Sequence, residues 1–216
     1  RAAYRTVNFD LRQYKRLRMF AHAEALGIES ELKDKDLTVF IRLGSDFNEN
    51  YYEYELPMKA TNWYNSDEEA IWPEENNFDI KLKDLQNLKA NRPPTTPMTS
   101  EYTSRVGEAK ITVKGNPNIA NVTVLMIGVR NPLKTDPDNI WQPDAGDAEC
   151  VNVWVNELRL TDFVSDGGDA AIGQMQVQLA DFANVSASGN YSGINWGSVD
   201  SRVQDRQRNQ KVGFDM

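Results

Sequence analysis

Apolar and polar residues alternate with a period of two over most of the chain, which is how half-buried β-strands read. In YKRLRMFAHAE (residues 14–24), Leu17, Met19, Ala21 and Ala23 share one face; Arg16, Arg18, Phe20, His22 and Glu24 share the other. LTVFIRL (37–43) points Leu37, Val39, Ile41 and Leu43 inward against Thr38, Phe40 and Arg42. YYEYEL (51–56) sets Tyr52, Tyr54 and Leu56 opposite Tyr51, Glu53 and Glu55. AKITVKG (109–115) is a further strand. NVTVLMIGVRNP (121–132) is apolar on both faces between Val122 and Val129, which predicts a central strand covered from both sides.

Two segments depart from this pattern. In NNFDIKLKDLQNLKANRPP, Phe78, Leu82, Leu85 and Leu88 recur at helical spacing. Asn76 or Asn77 is placed to cap them and Pro93-Pro94 to stop them, so one amphipathic helix is predicted. In VNVWVNELRLTDF (151–163) the valines hold one parity and Leu158 and Leu160 the other. A single β-bulge at Asn156-Glu157 would return both sets to one face. These elements predict an all-β, jelly-roll-like antiparallel β-sandwich with one amphipathic helix over residues 1–165. Residues 166–216 then read as a second β region. GQMQVQL and NVSASGNY (184–191) set Met175, Val177, Leu179, Val185, Ala187 and Tyr191 against Gln, Asn and Ser. That dyad is shared by transmembrane β-barrel strands and by ordinary sandwich-edge hairpins.

Composition narrows the function. With 24 basic and 32 acidic residues the net charge is −8, which argues against a nucleic-acid partner. Cys150 is the single cysteine, so no intrachain disulfide can form, and its place beside a valine run predicts a small buried hydrophobe. No apolar run reaches the ~18 residues of a membrane-spanning helix. The chain opens on Arg1 and closes on the strand-like KVGFDM, as a piece of a longer polypeptide would.

Candidate chemistry is sparse. His22, the sole histidine, is expected on the outer face of a strand between Phe20 and Glu24, as a surface residue in cross-strand contacts. Glu53 and Glu55, two apart on a strand, point the same way about 7 Å apart, within the range of paired glycosidase carboxylates. The favoured reading makes them a solvated face ion-paired across strands with Arg16, Arg18 or Arg42. Asp136, Asp138, Asp144, Asp147 and Glu149 crowd one loop without the spacing of an EF-hand, so a solvated loop is preferred to a calcium site. No catalytic, cofactor-binding or metal-ligating residue is therefore assigned, and no cofactor is expected.

VWVNELRLTDF followed by GG and QVQLADFANVSASGNYS, with YRTVNFDLRQYKRLRMFAHAEAL and VFIRLGSDFNENYYEYELPM before them, resembles the SprA/Sov family. These are the giant outer-membrane translocons of the type IX secretion system and of gliding motility. The resemblance implies a bacterial outer-membrane setting and a non-catalytic cap or scaffold role for the sandwich. Inserted between barrel strands, where long insertions lie outside, the sandwich would face the cell surface, which is the preferred placement; preceding the first strand, it would be periplasmic. The resemblance implies that the C-terminal strands contact outer-membrane lipid as part of a barrel. It also implies as partners the gating-barrel and plug subunits of the machine and its secreted cargo. VNVWVNELRL is also similar to the last strand of galactose-binding-type jelly rolls. That keeps open a carbohydrate-binding module, with Tyr51, Trp63, Trp72 or Trp141 as its aromatic platform, and less readily a glycan hydrolase using Glu53 and Glu55.

Overall fold

The computed structural model describes residues 1–27, 32–62, 64–133, 135, 141, 148–164, 167–193, 196–197 and 208–215. They form two compact units, Arg1–Phe163 and Val164–Met216.

The first unit is the expected antiparallel sandwich. Its larger sheet has six strands: β1 (Ala2–Phe9), β8 (Val122–Arg130), β3 (Thr38–Gly44), β4 (Tyr51–Pro57), β7 (Ala109–Lys114) and β6 (Tyr102–Val106), in that spatial order. The smaller sheet runs β5 (Phe78–Lys81), β2 (Tyr14–Ala25), β9 (Val151–Phe163). The chain crosses repeatedly between the sheets, as in a jelly roll. Period-two patterning gives each sheet one apolar face, and the two faces meet. Met19, Ala21, Ala23, Phe78 and Ile80 pack from one side against Val39, Ile41, Leu43, Tyr52, Ile111 and Val113 from the other, all buried.

The helix is shorter than its periodicity predicts. Phe78 and Ile80 alternate with exposed Asp79 and Lys81 as strand β5, paired to β2 from Met19↔Phe78 to Arg16↔Lys81. Of this stretch Leu82–Ala90 is α-helical (α2, after the single turn α1 at Glu68–Ile71), burying Leu82, Leu85 and Leu88 against the β7 side of the core. Phe78 falls four residues before Leu82, so a strand residue mimicked a helical stripe. Asn76 is not a cap. Its side chain is fully buried, accepting from the Lys59 amide (2.7 Å) and donating to the Lys59 carbonyl (2.9 Å), which pins two connections together.

Three further expectations are corrected. His22 is buried, not a surface residue, because Thr61, Ile71 and Trp72 pack over the outer face of β2. Its Nδ1 lies 2.6 Å from the Ile71 carbonyl oxygen, which can only accept, so Nδ1 donates. Cys150 is exposed, at the start of β9 instead of within the core. Strand β8 is interior to its sheet, but residues 123–127 are only half-buried, because among the described residues the smaller sheet ends at β9 and leaves the β8–β1 side without a second layer.

The bulge does form. Arg18 pairs with Arg159 and Phe20 with Asn156, so Glu157 and Leu158 together oppose Met19. Glu157 takes φ +52°, the left-handed conformation that admits the extra residue. Val153 and Leu160 then pack on the same core, while Trp154 points outward and is exposed.

The second unit is a three-stranded antiparallel meander of β10 (Ala170–Leu179), β11 (Ala183–Ser192) and β12 (Asn209–Asp215). Residues 180–182 turn tightly between the first two strands, and residues 193–208 make the longer second connection.

Inserting one alanine between Leu158 and Arg159 should rotate residues 159–163 to the opposite face and turn Leu160 out of the core. The expected loss is roughly 2–3 kcal/mol, the scale of one buried leucine. Glu157→Gly, which suits a positive φ, should leave stability unchanged or slightly raised. Denaturant unfolding of the two variants checks both.

Candidate functional site

The outer face of the six-stranded sheet carries the densest chemistry in the described chain. Strand β4 alternates Tyr52 and Leu56 into the core with Tyr51, Glu53 and Glu55 on the other side. Register places Arg42 of β3 directly beside Glu53, and Lys110 of β7 directly beside Glu55. Arg130, at the end of β8, reaches across from two strands away.

Every carboxylate oxygen in the cluster has a cation beside it, a hydroxyl donor, or both. Arg130 grips Glu53 with two parallel bonds, Nη1 to Oε1 at 2.7 Å and Nη2 to Oε2 at 2.8 Å. Arg42 adds Nε to Oε2 at 2.8 Å. Glu55 accepts from the Thr38 hydroxyl at 2.5 Å, and its Oε2 lies 3.0 Å from Lys110 Nζ and 2.9 Å from Arg130 Nη1. Aromatic rings brace the cations: Arg42 lies 3.8 Å from the Tyr51 ring centroid, Arg130 4.0 Å from Phe40 and Lys110 5.4 Å from Trp141. Phe40 has room because Gly128 sits opposite it; a Cβ there would come within 2.4 Å of the ring.

The face is not solvated as the sequence suggested. Glu53 is 3% exposed and Glu55 1%. Burial alone would raise the Glu53 carboxyl, but hydrogen bonding and charge from Arg130, with Arg42 behind it, hold it below the ordinary range. Burial pushes the Tyr51 phenol up, and its bond to Glu101 (2.5 Å) pushes it further in the same direction. Arg16 and Arg18 lie on the other sheet, where both pair with Asp79.

This arrangement does not suit glycoside hydrolysis. That reaction needs one carboxyl kept protonated near neutrality and another free to attack or activate water. Here Glu53 is driven toward the anion, and Glu55 Oε2, which has no hydrogen-bond donor among the described residues, lies between the Lys110 and Arg130 cations, which favour its anion too. A polar pocket of about 390 Å³ adjoins them, lined by Arg1, Glu101, Lys110, Arg130 and Trp141 among others, so the carboxylates face cations.

The aromatic platform does not assemble either. Tyr51 and Trp141 are buried, and Trp72 packs on Phe20 and His22 across the other sheet. Trp63 lies outside the described residues, as do Asp136, Asp138, Asp144 and Asp147, so the calcium loop has no geometry to report. Among the described residues, no group of three or more His, Cys, Asp or Glu side chains could hold a metal ion. Sequence reasoning found Arg42 but missed Arg130 and Lys110, whose partnership depends on strand order.

Removing Arg130 leaves Glu53 buried beside half its counter-charge. Arg130→Met should cost about 3 kcal/mol, whereas Arg16→Met on the exposed pair should cost less than about 1 kcal/mol. Because the folded carboxyl of Glu53 titrates below its unfolded value near 4.5, its stabilisation is present above that pH. It is lost as pH falls through the lower folded value. Glu53→Gln should therefore flatten the acid limb of the stability curve below about pH 5. Urea unfolding at stepped pH measures both effects.

The cluster is a structural lock, with its buried carboxylates answered in place by cations and a hydroxyl. Comparison with curated proteins gives no match. The family model for motility related/secretion proteins, SprA_N, matches residues 1–216, the whole of the sequence. The chain belongs to the SprA_N family of motility related/secretion proteins.

Proposed function

We propose that this chain is a non-catalytic part of an outer-membrane protein-secretion translocon of the type IX and gliding-motility kind. In this reading residues 1–163 form a rigid sandwich and residues 164–216 contribute strands to the transmembrane barrel. The observation that carries it is the two-faced meander of the second unit. Register aligns Met175 with Ala187 and Phe214, and Gly173 with Gly189 and Val212; Val177 faces Val185. The other face stacks Gln174 on Ser188, Gln176 on Ser186 and Gln178 on Asn184. One side is thus apolar across all three strands, yet Met175 is 56% exposed and Phe214 85%. A soluble sheet hides such a face under a second layer; a barrel strand offers it to lipid and turns the polar face to the lumen. No helix among the described residues is long and apolar enough to cross a membrane, so strands are the crossing elements of this reading.

The connections suggest an orientation. Barrels of this kind put tight turns on the periplasmic side and longer loops outside. The chain enters β10 at Ala170, the end shared with residues 193–208 and opposite the 180–182 turn. This supports a cell-surface position for the sandwich in the proposed reading. Gating, plug and cargo proteins of the machine are the corresponding partners.

A charge on the lipid face should be punished and one on the lumen face tolerated. Met175→Arg should cost about 2–4 kcal/mol or block assembly, while Gln174→Arg should assemble normally. Heat-modified gel mobility of the membrane-assembled protein distinguishes them, and equal tolerance would defeat the barrel reading. In a Cys150→Ser background, a membrane-impermeant maleimide should label Trp196→Cys on intact cells. Asp181→Cys should react only after permeabilisation, and the reverse pattern would place the sandwich in the periplasm.

A further inference from the structure

The sandwich is one strand short on one side. In the smaller sheet, β9 pairs only with β2, so its other edge presents 13 residues of backbone without a ladder among the described residues. In the larger sheet, β8 and β1 extend beyond that edge. Helix α2 covers the opposite end, on the β7 side, but among the described residues no equivalent layer covers β8 and β1. The space left is a groove of two adjoining cavities, about 460 and 440 Å³, sharing Arg5 and Leu125. Its floor is Leu125, Ile127 and Val129 from β8, and its far wall is Val153, Val155 and Leu158 from β9.

We infer that this groove receives an extended strand from a partner protein, which adds to the edge of β9 and lays alternate apolar side chains on β8. The length fits. The groove follows β1 from Arg1 to Phe9, and eight residues of strand span about 26 Å. Main-chain bonding to an open edge gives affinity, and alternate pockets give selectivity, as in other strand-addition complexes.

Charge defines the chemistry of the occupant. The charged residues lining the groove are Arg1, Arg5 and Arg159. Arg159 is engaged by Glu157 at 2.8 Å and lies over Phe20. Arg5 pairs in register with Leu125, sits on the core-side face of β1, and has no ion pair or hydrogen bond from its side chain to any described residue. An inward charge on an edge strand deters indiscriminate pairing. It also selects a strand that brings a carboxylate to that point. The occupant is therefore apolar at alternate positions, with one acidic residue among them.

A second copy of this chain does not fit. Edge-to-edge pairing through β9 would bring each copy's overhanging β8 and β1 into the same space, two strands at about 4.8 Å each.

Fluorescently labelled ten-residue peptides test this. One alternates Val and Thr with a Glu replacing the Val that meets Arg5, a second carries Lys there, and a third is the Glu peptide N-methylated on the amides facing β9. The Glu peptide should bind the chain saturably, about fivefold tighter than the Lys peptide, the scale of one partly exposed charge contact. Arg5→Glu should invert that order, and Val155→Glu on the opposite wall should weaken the Glu peptide. The N-methylated peptide should fail. The inference is overturned if no peptide binds, if Glu and Lys peptides bind alike, if Arg5→Glu has no effect, or if N-methylation is tolerated. It is equally overturned if sedimentation shows the chain dimerising through this groove and excluding the peptides.

Discussion

Two glutamates on β4 set the terms for the rest of the sandwich. Once Glu53 and Glu55 are buried, their charge must be answered from neighbouring strands, since an unpaired carboxylate in the interior is far more costly than any single apolar contact there is favourable. The answers come from Arg42 on β3, Lys110 on β7 and Arg130 on β8, so one cluster spans four adjacent strands of the six. A one-residue slip of β4 would send both glutamates into the hydrophobic core and bring Tyr52 and Tyr54 out. Alternative registers are thereby excluded electrostatically as well as sterically. The contribution is to specificity more than to net stability, because desolvating five charges offsets much of what their pairing returns.

The lock also explains why the larger sheet tolerates unequal cover. Its central strands are sealed on one side by the smaller sheet and α2, and on the other by the ion cluster with its aromatic braces. The outlying strands β8 and β1 lack the inner layer, and burial falls accordingly: Val39 and Ile41 are fully buried, whereas Leu125 and Ile127 are half-buried. Strand β1 is held to β8 by its ladder from Ala2↔Gly128 onward, with little side-chain burial of its own. Rigidity is concentrated in the middle of the sheet and adaptability at its β1 edge.

What the sequence disclosed follows from which forces are local. The strands of the core, their inward faces and the bulge at Glu157 were legible because side-chain parity is written residue by residue. Phe78 misled because a single apolar residue four positions before Leu82 satisfies both periods, and only pairing with Met19 decides between them. Glu53 and Glu55 were legible as ion-pair partners, and Arg42 as one cation. Arg130 and Lys110 were not, since they come from 77 and 55 positions further on and are neighbours only once the strand order is known. His22 looked exposed because the residues that cover it, Thr61, Ile71 and Trp72, belong to a stretch with no periodicity of its own. Strands β1 and β6 were missed for a related reason: their exposed side chains leave no inward stripe to read.

The same period of two leads to opposite solutions in the two units. In the sandwich, each apolar face meets another, and the polar complement is either solvated or neutralised in place. In the meander formed by β10, β11 and β12 the apolar face sets alanine, glycine, valine and methionine beside Tyr191 and Phe214, a single layer with no second layer on it among the described residues. Three strands bury little among themselves, and an isolated sheet of this kind has scant stability in water. Its regular ten-residue pairing therefore implies an apolar phase supplied from outside the described residues, whether lipid or further strands of the same curved sheet. The glutamines and serines opposite need no such partner, since water satisfies them. A sheet patterned in this way is incomplete by design, and only continuation into a larger closed structure removes its open edges.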